Sequence, residues 1–191
     1  MARTRSRDYD AVKRAILARA AACFAERGFM GASIGDLAEA CGVSRGALYH
    51  YFETKQEILF AILDAHVGEL LAVLEATVAQ GGEPRLLLRR LLRASLALYA
   101  DFRNEQKVLL AELKFLDAAD RATIEAAERR IVALLADVLA RIGAGGSVDA
   151  MLALGMINYT YTWYDPAGPV GPLALADRAA DILLDGLVSP R

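Results

Sequence analysis

Residues 33–55 read SIGDLAEACGVSRGALYHYFETK, and the organisation of the chain is read outward from them. Ile34, Leu37, Ala38 and Cys41 follow the i, i+3, i+4, i+7 spacing of one apolar helical face. Gly42 stands where a left-handed residue ends a helix at least cost. Ser44 offers a side-chain oxygen to cap a second helix, which sets Leu48 and Phe52 one turn apart on an inward face. Ser44, Arg45, Gly46, Ala47 and His50 fall on its other faces. Two short helices joined by a tight glycine turn form a helix-turn-helix, whose second helix suits the major groove of DNA.

The remaining composition is consistent with that beginning. A chain of 191 residues, 55% hydrophobic, can bury a substantial core. Five prolines and a scarcity of β-branched alternation favour an all-α fold. The net charge of −2 conceals an asymmetry. Residues 1–55 carry nine Lys/Arg against six Asp/Glu, a net of +3, and residues 56–191 thirteen against eighteen, a net of −5. A basic head on an acidic body fits a molecule that meets polyanion at one end only. The two cysteines, Cys23 and Cys41, lie on apolar helical faces, which reads as small buried hydrophobes in a reducing cytoplasm. The Arg-rich start lacks the apolar core of a signal peptide, and Ala150–Tyr164 is too short and too polar to span a bilayer. A soluble, cytoplasmic protein without a membrane partner is expected.

Residues 1–7, MARTRSR, read either as an arm that reaches DNA phosphates or the minor groove, or as an unordered terminus. The first helix is expected over Asp8–Arg27, with Ile16, Leu17, Ala20, Ala21 and Phe24 as its stripe and Gly28 as its stop. Phe29 is expected to plug the junction that follows. Ser33 with Asp36 resembles a capping box. A second box, Thr54–Glu57, opens a long helix over 55–79, and Gly81-Gly82 ends it. Pro84 starts a helix with Arg85, Arg89, Arg90 and Arg93 interleaved among leucines. A shorter helix carries Val108 to Leu116, and a long one spans Ala118–Ile142. The next covers Asp149–Tyr164, and Pro172 opens the last. That makes about nine helices, the first three forming the head.

The stretch resembles the signature of TetR-family transcriptional repressors. The match runs through the opening Ser, Asp-Leu-Ala-Glu-Ala, Gly-Val-Ser, Gly-Ala-Leu-Tyr-His-Tyr-Phe and Thr-Lys, with Phe24, Gly28 and Phe29 before it. The resemblance implies a helix-turn-helix DNA-binding domain over residues 1–54 and a helical ligand-binding and dimerisation domain over 55–191. It also implies roles for single residues. Ser33 would bind a phosphate from the start of helix two. Ser44, Arg45, Gly46 and Ala47 would face the major groove. Tyr49 and His50, joined by Tyr51, would press on the backbone, and Lys55 would hold another phosphate. One of the consecutive aromatics must turn inward. Arg45 alone has a strong capacity to read a base, through guanine O6 and N7, while Ala47 suits a thymine methyl. The departures are Ser33 for the commoner Thr, Gly35 loosening helix two, and Glu53 close to the backbone.

One such head contacts too little DNA to be selective, so a homodimer on a palindromic double-stranded operator is expected, paired through the last two helices. The resemblance also implies a small-molecule effector held by the middle helices. The segment Asn158–Pro169 looks like the C-terminal region of regulators of fatty-acid, steroid-ring and aromatic-acid degradation, whose effectors are acyl-CoA thioesters. The expected ligand-facing residues are Arg89, Arg93, Phe102, Asn158, Tyr161 and Trp163, the arginines neutralising CoA phosphates; the alternatives are that the aromatics only pack the dimer and that the arginines form a solvated helix face. A hydrophobic drug or another metabolite is the alternative effector. No cofactor, metal spacing, phosphate loop or catalytic constellation is seen around His50 or His66, which argues against an enzyme. A protein-binding helical adaptor is the remaining class.

Overall fold

Nine α-helices and two 3-10 turns make up the regular structure of the computed structural model, which describes residues 2–187. They are α1 (Ala2–Gly31), α2 (Ile34–Cys41), α3 (Arg45–Tyr51), α4 (Lys55–Ala79), α5 (Pro84–Asp101), α6 (Arg103–Glu112), α7 (Ala118–Ala140), α8 (Ser147–Asn158) and α9 (Pro172–Leu187). The 3-10 turns cover Leu113–Phe115 and Tyr159–Thr162. Among the described residues there is no strand. The protein is all-α, with a helix-turn-helix near its N-terminus.

The chain forms two compact units. One holds the residues up to His66 together with Asn104–Ile124, and the other holds Val67–Arg103 and the chain from Glu125 onward. Each has its own core.

In the first unit α1 packs on α2, and α2 on α3. Ile16, Ala20, Cys23 and Phe24 of α1 are buried, as are Leu37, Ala38 and Cys41 of α2, Leu48 and Phe52, and Ile58, Leu59 and Ile62 of α4. Each large side chain withdrawn in this way contributes about 1.5–3 kcal/mol. Helix α1 begins at Ala2, not near Asp8, because no glycine or proline interrupts residues 2–27. Its first turns are thus helical where a tail was expected. Gly28 breaks the helical backbone at φ +72°, and one further turn carries Phe29 inward. The Phe29 ring lies 5.6 Å from Phe24 and stacks on Phe115 at 5.3 Å. Two polar groups are buried together here: His66 Nε2 on α4 and Gln106 Oε1 on α6 lie 2.8 Å apart.

In the second unit α5 packs on α9 and on α8, and α8 packs on α9. Ala176, Ala179 and Ala180 let α9 approach the leucine face of α5, where Leu87, Leu88, Leu91 and Leu92 are buried. A polar cluster fastens the same pair. Arg93 makes a two-pronged contact with Asp177, Nε and Nη2 each 2.7 Å from a carboxylate oxygen. Arg89 Nη1 donates to the Asp177 carbonyl at 3.2 Å, and its Nη2 to Asp181 at 2.5 Å. Hydrogen bonds from Arg93, and then Arg89, hold the Asp177 carboxyl below the usual carboxylate range. The eighth helix ends at Asn158 and tightens into the 3-10 turn, shorter than the expected run to Tyr164.

Candidate nucleic-acid interface and effector cleft

The turn between α2 and α3 is built by local chemistry. Ser33 caps α2: its Oγ accepts from the Asp36 N–H at 3.1 Å, and its own N–H donates to Asp36 Oδ2 at 2.8 Å. Arg27 donates to the other carboxylate oxygen at 2.7 Å. The bonds from Ser33, and then Arg27, hold the Asp36 carboxyl below its ordinary value. At the far end Gly42 adopts φ +67° and donates its N–H back to Ala38 and Glu39. A side chain there would strain the backbone, so this glycine sets the turn. Ser44 Oγ then accepts from the Ala47 N–H at 3.1 Å and starts α3.

This frame turns one face of α3 outward. Ser44, Arg45, Gly46, Tyr49 and His50 are exposed, Tyr49 at 51%. Leu48 and Phe52 point into the core, and Ala47 is half-buried. The inward-turned aromatic is Tyr51, half-buried and stacked on Tyr9 of α1 at 4.8 Å. Tyr9 also meets His50 edge-on at 6.4 Å. No sequence signal ties Tyr9 to α3, since the pair is 42 residues apart (9 to 51). The hydroxyl of Ser33 donates to Asp36 Oδ2 at 2.5 Å and is taken up in its own cap. Lys55 is similarly engaged. Its Nζ donates to the carbonyls of Phe29 at 2.7 Å and Ala32 at 2.9 Å, and sits 4.3 Å above the Phe29 ring. Burial pushes both cysteine thiols up, so they are weak nucleophiles and serve as packing.

Two spaces open in the second unit. A shallow cleft, with an internal volume of about 10 Å³, is lined by Leu96, Tyr99, Arg103, Thr160, Tyr161 and Tyr164, among others. A narrow apolar slot, with an internal volume of about 10 Å³, lies between Leu74, Leu92, Ile131, Leu135, Leu154 and Ile157. Both use α5, the slot at Leu92 and Ser95 and the cleft one turn on at Leu96 and Tyr99. Arg103 brings the cation to the cleft and donates to the Tyr161 carbonyl at 3.4 Å.

Of the six expected ligand-facing residues, Tyr161 lines the cleft. Asn158 accepts the Tyr99 hydroxyl at 2.8 Å and so orients a lining residue. Phe102 ends α5, its N–H donating to the Leu98 carbonyl. Trp163 is 60% exposed and meets Tyr164 edge-on. Arg89 and Arg93 are bound by the α9 carboxylates. The cleft is also lined by Tyr99, Arg103 and Tyr164, which helical period does not single out, since it marks a face as apolar without saying which faces leave space between them.

A family model described as "Bacterial regulatory proteins, tetR family" matches residues 16–62, and one described as "Tetracyclin repressor-like, C-terminal domain" matches residues 81–187. The chain is 32% identical over 183 residues to the HTH-type transcriptional repressor KstR2 of Rhodococcus jostii strain RHA1, across 90% of this chain and 88% of that protein. Its fold is similar to that of a TetR-family transcriptional regulator from Bordetella parapertussis 12822, with TM-score 0.88, 36% identity, and 94% and 97% of the two chains covered. It is also similar to AibR, solved in complex with isovaleryl coenzyme A and operator DNA. There the TM-score is 0.78, the identity 27%, and the coverage 94% and 100%.

Proposed function

The chain belongs to the TetR family of bacterial regulatory proteins, and from that membership we propose a ligand-responsive repressor that grips a palindromic operator as a homodimer and releases it when an acyl-CoA thioester binds. That it is a transcriptional repressor and not an enzyme follows from the family itself. The observation that carries the operator reading is the outward face of α3, where Ser44, Arg45, Gly46, Tyr49 and His50 stand together. Arg45 reads guanine, while Ser44, Tyr49 and His50 position the head on the backbone. Lys55 and Ser33 hold the frame: one ties the start of α4 to Phe29 and Ala32, the other closes the cap of α2. Residues 1–54 act as the DNA-binding domain and 55–191 as the sensing and pairing domain.

Dimerisation is assigned to α8 and α9. Val148, Met151, Leu152 and Met156 form an exposed apolar stripe at helical spacing on α8, continued by Tyr159 at the start of the 3-10 turn, and Leu173 and Ile182 are exposed on α9. Gly155 sits within the stripe and faces open space, and its lack of a side chain leaves room for close helix approach. Coupling two heads lifts binding from the nonspecific range of about 10⁻⁴–10⁻⁶ M toward the specific range of about 10⁻⁸–10⁻¹¹ M. Half-sites then lie about 34 Å apart or a multiple of it.

For the effector, support comes from the character of the two linings beside α5, one apolar and one carrying Arg103, which would have to open to take an acyl chain and its anionic head. The similarity to AibR, whose complex holds isovaleryl coenzyme A, points the same way. The long helix α4 is the element through which a ligand in the body would bias the head. A coupling of about 1–3 kcal/mol, 5–150-fold in affinity, is enough for a switch. The test is release of the protein from the DNA upstream of its own gene, followed by fluorescence anisotropy. Isovaleryl-CoA and longer acyl-CoA thioesters should release it, and Arg103→Ala should blunt the response. Release by free acids or hydrophobic drugs, with thioesters inert, overturns the effector assignment.

A further inference from the structure

We infer that Gly35 is a positioning residue for sequence recognition: its missing side chain gives the Arg45 guanidinium a seat against α2 and so aims it at the DNA. Gly35 is the second residue of α2, a helix of eight residues, and its φ is not positive. Its backbone therefore places no demand on glycine, and alanine would serve this helix better. A reason outside the helix is visible. A Cβ built on Gly35 would lie 2.5 Å from Arg45 Nη2, 3.2 Å from Cζ and 3.3 Å from Nε. The guanidinium thus rests directly on the bare Cα of Gly35, across the turn. Gly46, by contrast, has only Ser44 Oγ at 4.0 Å from its Cβ position, and Gly68 has nothing within 4 Å.

The inference rests on the reading of Arg45 as the base-reading residue. A two-pronged contact to guanine O6 and N7 requires the planar guanidinium to arrive in one orientation. Such constellations tolerate about 0.5 Å and 10–20° of error before they lose function. A methyl at position 35 occupies the seat. Since the displaced atoms are the far end of a flexible side chain, the fold yields cheaply and the aim changes. Stability and recognition are therefore expected to move in opposite directions, which a general structural role for Gly35 would not produce.

The experiment is selection from a pool of duplexes with a randomised core by the full-length protein, Gly35→Ala, Arg45→Ala and the double variant, with a melting temperature for each. Gly35→Ala should melt about 1–4 °C higher than the wild type. Its preference for guanine at the position read by Arg45 should fall by about 5-fold or more, while other positions and the salt dependence of binding hold. In the Arg45→Ala background the same substitution should change no preference. If Gly35→Ala keeps the wild-type preference at every position, or shifts preferences equally with and without Arg45, the inference is wrong. If Arg45→Ala itself keeps the wild-type preferences, the reading of Arg45 fails and the inference with it. Failure of the wild type to enrich any sequence would instead overturn the proposed operator binding.

Discussion

Lys55 and Asp36 show how single side chains in the head divide their work between fold and function. The Lys55 ammonium holds two carbonyls that end the α1 segment, so its loss leaves both without that donor. Lys55→Met should lower the melting temperature while leaving the salt slope of DNA binding unchanged. A true phosphate contact would reduce the slope by about one unit, so the two roles separate in one titration. Asp36 makes a prediction about pH. Its carboxyl is held below the ordinary value by Ser33 and Arg27, so ionised Asp36 favours the folded state. That contribution is complete above the unfolded Asp value of about 3.9 and is lost as pH falls through the lower folded value. The gap in melting temperature between wild type and Asp36→Asn should be constant from neutral pH to about pH 5 and close below about pH 4.

Helices were legible in the sequence wherever their signals are local. The capping pair Ser33–Asp36, the turn at Gly42, the cap at Ser44 and the apolar period of α4 each lie within a few residues, and each element stands where they place it. The site was less legible because its contacts are not local. Lys55 reaches Phe29 across 26 positions, and Arg89 reaches Asp177 across 88. The resemblance to regulators with acyl-CoA effectors sets Arg89 and Arg93 toward CoA phosphates, with a solvated helix face as the alternative; both pair with carboxylates of α9, and the cation at the cleft is Arg103, one helix later. The stripe on α8 makes the prediction at this scale. Leu152 is 60% exposed, so Leu152→Arg should fold normally. Analytical ultracentrifugation should then find a monomer, with operator affinity reduced about 100-fold or more through loss of the coupled second head. A dimer of wild-type strength would move the interface elsewhere.

Across the whole molecule, net charge of +3 on residues 1–55 and −5 on the remainder is the arrangement expected of a protein that meets DNA with one end. Among the described residues no helix is long and apolar enough to cross a membrane. Family membership establishes the repressor class, while the operator and effector are proposals argued from the face of α3 and the linings beside α5. The salt dependence of binding belongs to this scale too. Affinity should fall steeply between about 50 and 200 mM salt, by about 10³-fold or more if six or more phosphates are neutralised by the two heads. Operator recognition through α3 is tested by sequencing the genomic fragments retained by the purified protein, in parallel with Arg45→Ala. A two-fold symmetric site with half-sites one helical turn or a multiple of it apart should be enriched by the wild type and lost with Arg45→Ala. Recovery of no preferred sequence, or of the same site by both proteins, would contradict recognition through α3.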